Sequence, residues 1–231
     1  MNIAQLIGRS FSRRLTPPRI FILSFALLIL IGTILLRMPF ASSGSRLSFV
    51  DALFSSASAV CVTGLAVIDI GKDLSLAGQI VTLVLFQIGG LGIITFSVVL
   101  FGLLGRGISF KGREIVQSTF LHTPRHDFLV IVRGVLRFTF VIEAAGAVLL
   151  FIRFAEDFPP AVAFFHALYN AVSAFNNCGY SLFSDSLMSY RGDWLVNLTV
   201  MGLIVLGGIG FIVGFAAYVL FRRTPPNQMS R

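Results

Sequence analysis

Charged residues fall in clusters along the chain, and the apolar stretches between them set out its organisation. Runs without any charge cover 20–36, 52–68, 74–105, 158–184 and 194–221. A sixth stretch, 128–152, is apolar apart from Arg133, Arg137 and Glu143. A helix crosses a bilayer with about 20 residues at about 1.5 Å each, so the run at 74–105 is longer than one crossing requires. The pattern predicts long helices over 20–36, 74–105, 128–152 and 194–221. The runs at 52–68 and 158–184 differ from these. Each pairs an apolar first half with a second half rich in Thr, Asn, Cys, Gly and Ser. They are predicted to dip into the membrane as short helices and return as loops.

The distribution of basic residues supports that count. With four spanning helices and both termini in the cytoplasm, Arg9, Arg13, Arg14, Arg19, Arg106, Lys111, Arg113, Arg125, Arg133, Arg137, Arg222, Arg223 and Arg231 lie inside. Arg37, Arg46, Lys72, Arg153 and Arg191 lie outside. A first dipping run that spanned instead would carry the basic residues of 106–137 outward, against the positive-inside bias. The outer loops hold Asp51, Asp69, Asp73, Glu156, Asp157, Asp185 and Asp193. This mildly acidic face suits a cation entrance, and ordinary solvated loop charge explains it equally well.

Composition narrows the class further. In 231 residues, hydrophobic types make up 56%, charged types 12%, and Phe alone numbers 24. That leaves too little polar surface to coat a soluble globule. The formal charge of +8 is then orientation charge rather than a nucleic-acid surface. Cys61 and Cys178 make no disulfide framework and no metal-ligand cluster, and are read as small packing residues.

An internal repeat fixes the arrangement. FVDALFSSASAVCVTGL at 49–65 aligns without gaps on FFHALYNAVSAFNNCGY at 164–180, an offset of 115. Phe49, Ala52, Leu53, Ser58, Ala59 and Gly64 meet Phe164, Ala167, Leu168, Ser173, Ala174 and Gly179. Downstream, Gly89, Gly90 and Gly92 answer Gly207, Gly208 and Gly210 at an offset of 118. Each copy reads as an outer helix, a dipping pore helix, a Gly-containing loop and an inner helix, in the same orientation. The expected fold is all-α and integral to the membrane, with four spanning helices and two re-entrant loops. Its boundaries are a cytoplasmic N-terminus at 1–19, repeats at 20–105 and 128–221, a cytoplasmic linker at 106–127, and a tail at 222–231.

A dipping helix of about twelve residues reaches about 18 Å, near mid-bilayer. Non-helical backbone at that depth is tolerated only beside protein or water. Val62, Thr63, Gly64 and Leu65, and Asn177, Cys178, Gly179 and Tyr180, form those segments. Glycine lets the backbone turn successive carbonyls to one side, and carbonyls so arranged replace the hydration shell of a monovalent cation. Neither stretch contains an acid, which favours potassium over a divalent ion.

The stretches SAVCVTGLAVID, FQIGGLGIITF and SAFNNCGYSLFSDSL together resemble the membrane subunit of Trk/Ktr/HKT potassium transporters, over about 20–221. The resemblance implies four outer helix–pore helix–inner helix repeats around one pore, of which this chain carries two. It implies that Gly64 and Gly179 are filter glycines. Val62, Thr63, Gly64, Asn177, Cys178 and Gly179 would then coordinate potassium, the transported substrate, with Leu65, Asn176 and Tyr180 supporting them. A glycine at position 64 is similar to the potassium-selective members, and a single helix before the first pore helix looks more like the Ktr branch. The expected partners are the lipid bilayer, a second copy of the chain in a homodimer, and a cytoplasmic nucleotide-binding regulatory subunit. The chain is expected in the inner membrane, without cofactor or covalent chemistry. The alternatives are a non-conducting truncated or split fragment that needs further repeats, and a sodium-permeable cation transporter.

Several other residues carry open readings. Glu143 is a coupling or gating group, or a carboxyl hydrogen-bonded to a neighbouring helix. The glycine clusters at 89–92 and 207–210 lack a preceding strand, so a dinucleotide motif fails its context. Close helix packing and a gating hinge remain for Gly89, Gly90, Gly92, Gly207, Gly208 and Gly210. Asn176 and Asn177 ligate ions or brace the loop. His166 is read as a surface or capping residue, and Tyr190 and Trp194 as an interfacial belt.

Overall fold

The computed structural model describes residues 17–104 and 127–223. The segments assigned to the N-terminus, the linker and the tail lie largely outside the described residues. Those described form helices and connecting loops, with no strand among them and one isolated bridge between Ser42 and Leu74. Helix α1 spans Pro17–Arg37, α2 Phe49–Val60, α3 Ile70–Asp73 and α4 Leu76–Leu104. Then come α5 at Asp127–Phe154, α6 at Pro160–Phe175 and α7 at Trp194–Arg223. Short 3₁₀ turns cover Pro39–Ala41 and Met188–Tyr190.

Local chemistry sets the helix starts. Ser48 Oγ accepts from the Asp51 N–H at 3.1 Å and donates to Asp51 Oδ2 at 2.7 Å, closing the N-terminus of α2 reciprocally. Pro160 opens α6, where its missing N–H costs nothing. Asp193 Oδ1 accepts the Val196 N–H at 3.1 Å and caps α7.

The helices pack as two triplets. In the first, α1, α2 and α4 contact one another, and in the second α5, α6 and α7 do the same. Contacts between α4 and α6 join them. Leu36, Val60, Leu85 and Phe86 centre the first core, which also takes in Tyr169, Cys178 and Tyr180 from the second half. Leu150, Phe154, Phe175, Val196 and Leu203 centre the second. Small residues bring the helices close, as membrane helix association demands. At Gly32 a Cβ would stand 2.3 Å from Ser56 Oγ, and at Gly146 one would stand 2.6 Å from Leu203. Ser56 Oγ donates to Ile29 O at 2.7 Å, tying α2 to α1.

The outside of these triplets is apolar. Ile22, Leu23, Leu27, Leu30 and Ile34 of α1 are exposed, as are Phe140, Val141 and Val148 of α5 and Leu198 and Val205 of α7. Such an exterior suits lipid rather than water. Among the described residues, Arg133–Phe154 is long and apolar enough to cross a membrane, and α1, α4 and α7 supply apolar segments at Phe21–Arg37, Leu76–Gly92 and Trp194–Ile209.

At one end of the second triplet a charge cluster ties α5 to α7. Arg153 Nε donates to Asp193 Oδ2 at 2.5 Å, Arg153 Nη1 donates to Asp157 Oδ2 at 2.8 Å, and Tyr190 OH donates to the same Asp157 oxygen at 2.9 Å. The Val196 N–H holds the Asp193 carboxyl below the usual carboxylate range, with the Arg153 guanidinium adding to it against an upward pull from burial. The folded state therefore favours the ionised form. Its contribution to stability is present at neutral pH and is lost as pH falls through the lowered value. Thermal unfolding in detergent at pH 7 and pH 3 should show this loss, and Arg153→Leu should flatten the difference.

Candidate functional site

Both short helices end in the same way. In α2, the Thr63 N–H donates to Ser58 O at 2.9 Å and the Val62 N–H to Ala59 O at 3.1 Å. In α6, the Cys178 N–H donates to Ser173 O at 2.8 Å and the Asn177 N–H to Ala174 O at 3.0 Å. This double closure is a Schellman motif, which satisfies the last helical carbonyls and requires a left-handed residue after the cap. Val62 takes φ 56° and Asn177 φ 58°. Two residues on, Gly64 takes φ 68° and Gly179 φ 83°. The left-handed positions thus recur at the repeat offset, with Thr63 and Cys178 between them.

Asparagine and glycine accept this conformation readily, whereas β-branched valine does not. Val62→Asn should relieve about 1 kcal/mol of backbone strain. The check is the thermal midpoint in detergent, which should rise. An unchanged or lower midpoint would mean that Val62 bears no strain.

The two loops touch. A Cβ on Gly64 would lie 1.9 Å from Cys178 O and 3.3 Å from Gly179 Cα. Tyr180 OH lies 3.2 Å from both Ser55 O and Leu65 O, so the second loop reaches back to brace the first. Thr63 Oγ1 meets Ser58 Oγ at 3.0 Å. Asn177 Nδ2 lies 3.4 Å from Phe175 O and Ile204 O, and Asn176 is bonded into the interior. The structure therefore brings Val62–Gly64 together with Asn177–Gly179, and it sets Leu65, Asn176 and Tyr180 around them. Above the loops opens a cleft of about 590 Å³, bordered by Gly64, Gly179, Asp69, Asp73, Ser184 and Ser186.

The glycine clusters lie within unbroken helices. A Cβ on Gly89 would stand 2.1 Å from Val60 O, and one on Gly207 would stand 1.7 Å from Phe175 O. These are repeat-equivalent glycines against repeat-equivalent carbonyls, each at the last residue of a short helix. A Cβ on Gly90 would meet Asn176 Oδ1, one on Gly208 would lie 3.8 Å from Asn177 Nδ2, and one on Gly92 would lie 3.5 Å from the Phe25 ring. Gly210 continues α7. Close packing accounts for these contacts.

Three expectations need correction. His166 is neither a surface nor a capping residue: its ring packs edge-on against Phe158 and Phe183, centroids 5.1 and 4.9 Å away. Tyr190 is buried against Phe154 and Arg153 instead of standing in an interfacial belt, while Trp194 is exposed. Cys61 is exposed, so only Cys178 is a buried packing residue. The rings of His166 and Tyr190 are both covered by Phe183, a loop residue remote from a sequence-local reading of either. Sequence reasoning missed Gln87, which donates to Glu143 Oε2 at 3.2 Å. An amide midway along an apolar helical run was the available signal.

Residues 15–228 match the family model for TrkH, described as a cation transport protein. The chain is 43% identical over 202 residues to the Ktr system potassium uptake protein B of Bacillus subtilis, covering 87% of this chain and 45% of that protein. It is 41% identical to the protein of the same name from Vibrio alginolyticus, over 85% of this chain and 43% of the relative. The potassium/sodium uptake protein NtpJ of Enterococcus hirae is 36% identical, over 90% of this chain and 46% of the relative. The chain thus spans about half the length of the curated relatives it matches. The family is one of transporters and not of enzymes. With the match running through both loops and all the long helices, the chain belongs to the TrkH family of cation transport proteins and is a membrane protein.

Proposed function

We propose that the chain forms part of a potassium uptake pore, with the loops at Val62–Gly64 and Asn177–Gly179 as two walls of its selectivity filter. The observation that carries this reading is the shared backbone. Left-handed residues at 62 and 64 recur at 177 and 179, and the loops meet at Gly64 and Cys178. A backbone that alternates in the sign of φ turns successive peptide planes the same way, gathering carbonyls on one side. Carbonyls in that arrangement compensate a dehydrated potassium ion without any acidic side chain. The ends of α2 and α6 add the negative ends of two helix dipoles. The relatives described above point the same way, since those from Bacillus subtilis and Vibrio alginolyticus are potassium uptake proteins.

Transport on this reading is physical: partial dehydration in the outer cleft, coordination at the loops, then passage inward past α4 and α7. Four loops would close a ring. The two described here are completed by two more, from a second copy or from a chain of the length of the relatives. Both termini face the cytoplasm of a cell whose inner membrane holds the protein, where a nucleotide-binding regulatory subunit docks. Growth of a bacterium lacking potassium uptake, at low potassium, tests the pore reading. Rescue by the protein supports it. Membrane insertion without rescue, with rescue by a four-repeat version, makes the two-repeat chain a non-conducting part.

A further inference from the structure

Three polar side chains from three helices meet in the interior, where a low local dielectric strengthens their hydrogen bonds. Glu143 comes from α5, Gln87 from α4 and Asn176 from the C-terminal cap of α6. Asn176 Nδ2 donates to Gln87 Oε1 at 2.8 Å and shares a longer bond with Glu143 Oε1 at 3.2 Å. It also lies 2.9 Å from Val172 O, within its own helix. Gln87 Nε2 donates to Glu143 Oε2 at 3.2 Å, so each carboxyl oxygen holds one amide. Glu143 is 3% exposed and Asn176 8%. Gly90 closes the far side, because a Cβ there would stand 2.0 Å from Asn176 Oδ1.

Asn176 immediately precedes Asn177, where the backbone turns left-handed. A side chain pinned from two helices at that point fixes how α6 ends, and hence where the loop starts. We propose that Glu143 and Gln87 are positioning residues for the second ion-coordinating loop, acting through Asn176. This inference rests on the filter reading given above. The first loop has no such clamp: the repeat-equivalent residue is Cys61, an exposed thiol. Thr63, bonded to Ser58, and the reach of Tyr180 brace it instead. The two walls are therefore held by different means. The second is tied to α4, the inner helix of the first repeat, so a displacement of α4 is felt at Asn177–Gly179 through Gln87.

The test measures potassium against sodium uptake in cells expressing the protein, at matched amounts in the membrane, for Glu143→Leu, Glu143→Gln, Gln87→Met and Gly64→Ser. Glu143→Leu removes the acceptor of the Gln87 Nε2 N–H, while Asn176 Nδ2 keeps Gln87 Oε1 and Val172 O, and discrimination should fall about tenfold, the scale of a donor left unpaired. Glu143→Gln keeps an acceptor oxygen for Gln87 Nε2 and should retain most of the discrimination. A merely structural carboxyl would change the amount of protein and leave the ratio unmoved. Should Glu143→Leu fail to reach the membrane, Gln87→Met decides, with a shifted ratio in favour and an unshifted one against. If Gly64→Ser shifts the ratio while Glu143→Leu and Gln87→Met do not, the positioning role is wrong and the filter reading stands. If none of the variants shifts it, the filter reading fails and takes this inference with it.

Discussion

Gly64→Ser should collapse potassium selectivity more severely than Gly179→Ser, although the two glycines occupy equivalent places in the repeat. At Gly64 the added Cβ meets a backbone carbonyl, Cys178 O, at 1.9 Å. It also forces a side chain into φ 68°. A carbonyl cannot swing aside as a flexible side chain does, so the loops must part. Left-handed strain of about 1–2 kcal/mol and overpacking of similar size sum to about 3 kcal/mol, or about a hundredfold in favour of a displaced loop. At Gly179 the Cβ finds only Gly64 Cα, at 3.9 Å, so strain acts alone and the effect should be about tenfold. Rubidium and sodium flux at equal expression measures both. Equal effects would mean that the loops do not touch as described.

Gly207→Ala should cost the protein its folded state in detergent. The methyl would stand 1.7 Å from Phe175 O, backbone again, forcing α7 away from the end of α6. Overpacking of this kind is worth about 3 kcal/mol. Gly202→Ala, on the same helix with nothing within 4 Å, supplies the contrast. It should be neutral or stabilising by up to about 1 kcal/mol through helix propensity. Thermal midpoints of the two variants separate the packing account from a hinge. A hinge glycine would tolerate alanine in stability and lose only transport.

Much of this arrangement was legible because it depends on local chemistry that repeats. The alignment of 49–65 on 164–180 rests on small residues and glycines that a short helix and its left-handed exit require, and the helices α2 and α6 end where those residues stand. The apolar runs likewise mark α1, α4, α5 and α7, since a long apolar stretch has few other ways to satisfy its backbone. Sequence spacing could single out Gly64 and Gly179, but not that Val62 would share their handedness. That follows from the helix closure, which overrides the preference of a β-branched residue.

What was not legible lies between helices. Gln87, Glu143 and Asn176 are far apart in sequence and gave separate, weak signals, and only the approach of α4 to α6 joins them. His166 and Tyr190 were misread for the same reason. Polar or amphipathic residues near a helix end look exposed until an opposing ring, here Phe183, covers them.

On the pore reading, the two loops coordinate the transported cation. Rubidium, a potassium substitute with a usable anomalous signal, tests it most directly in crystals of transport-competent protein. The expected result is anomalous density beside the carbonyls of Val62, Thr63, Asn177 and Cys178. Ordered rubidium found elsewhere in the pathway, with none at these loops, would contradict the account.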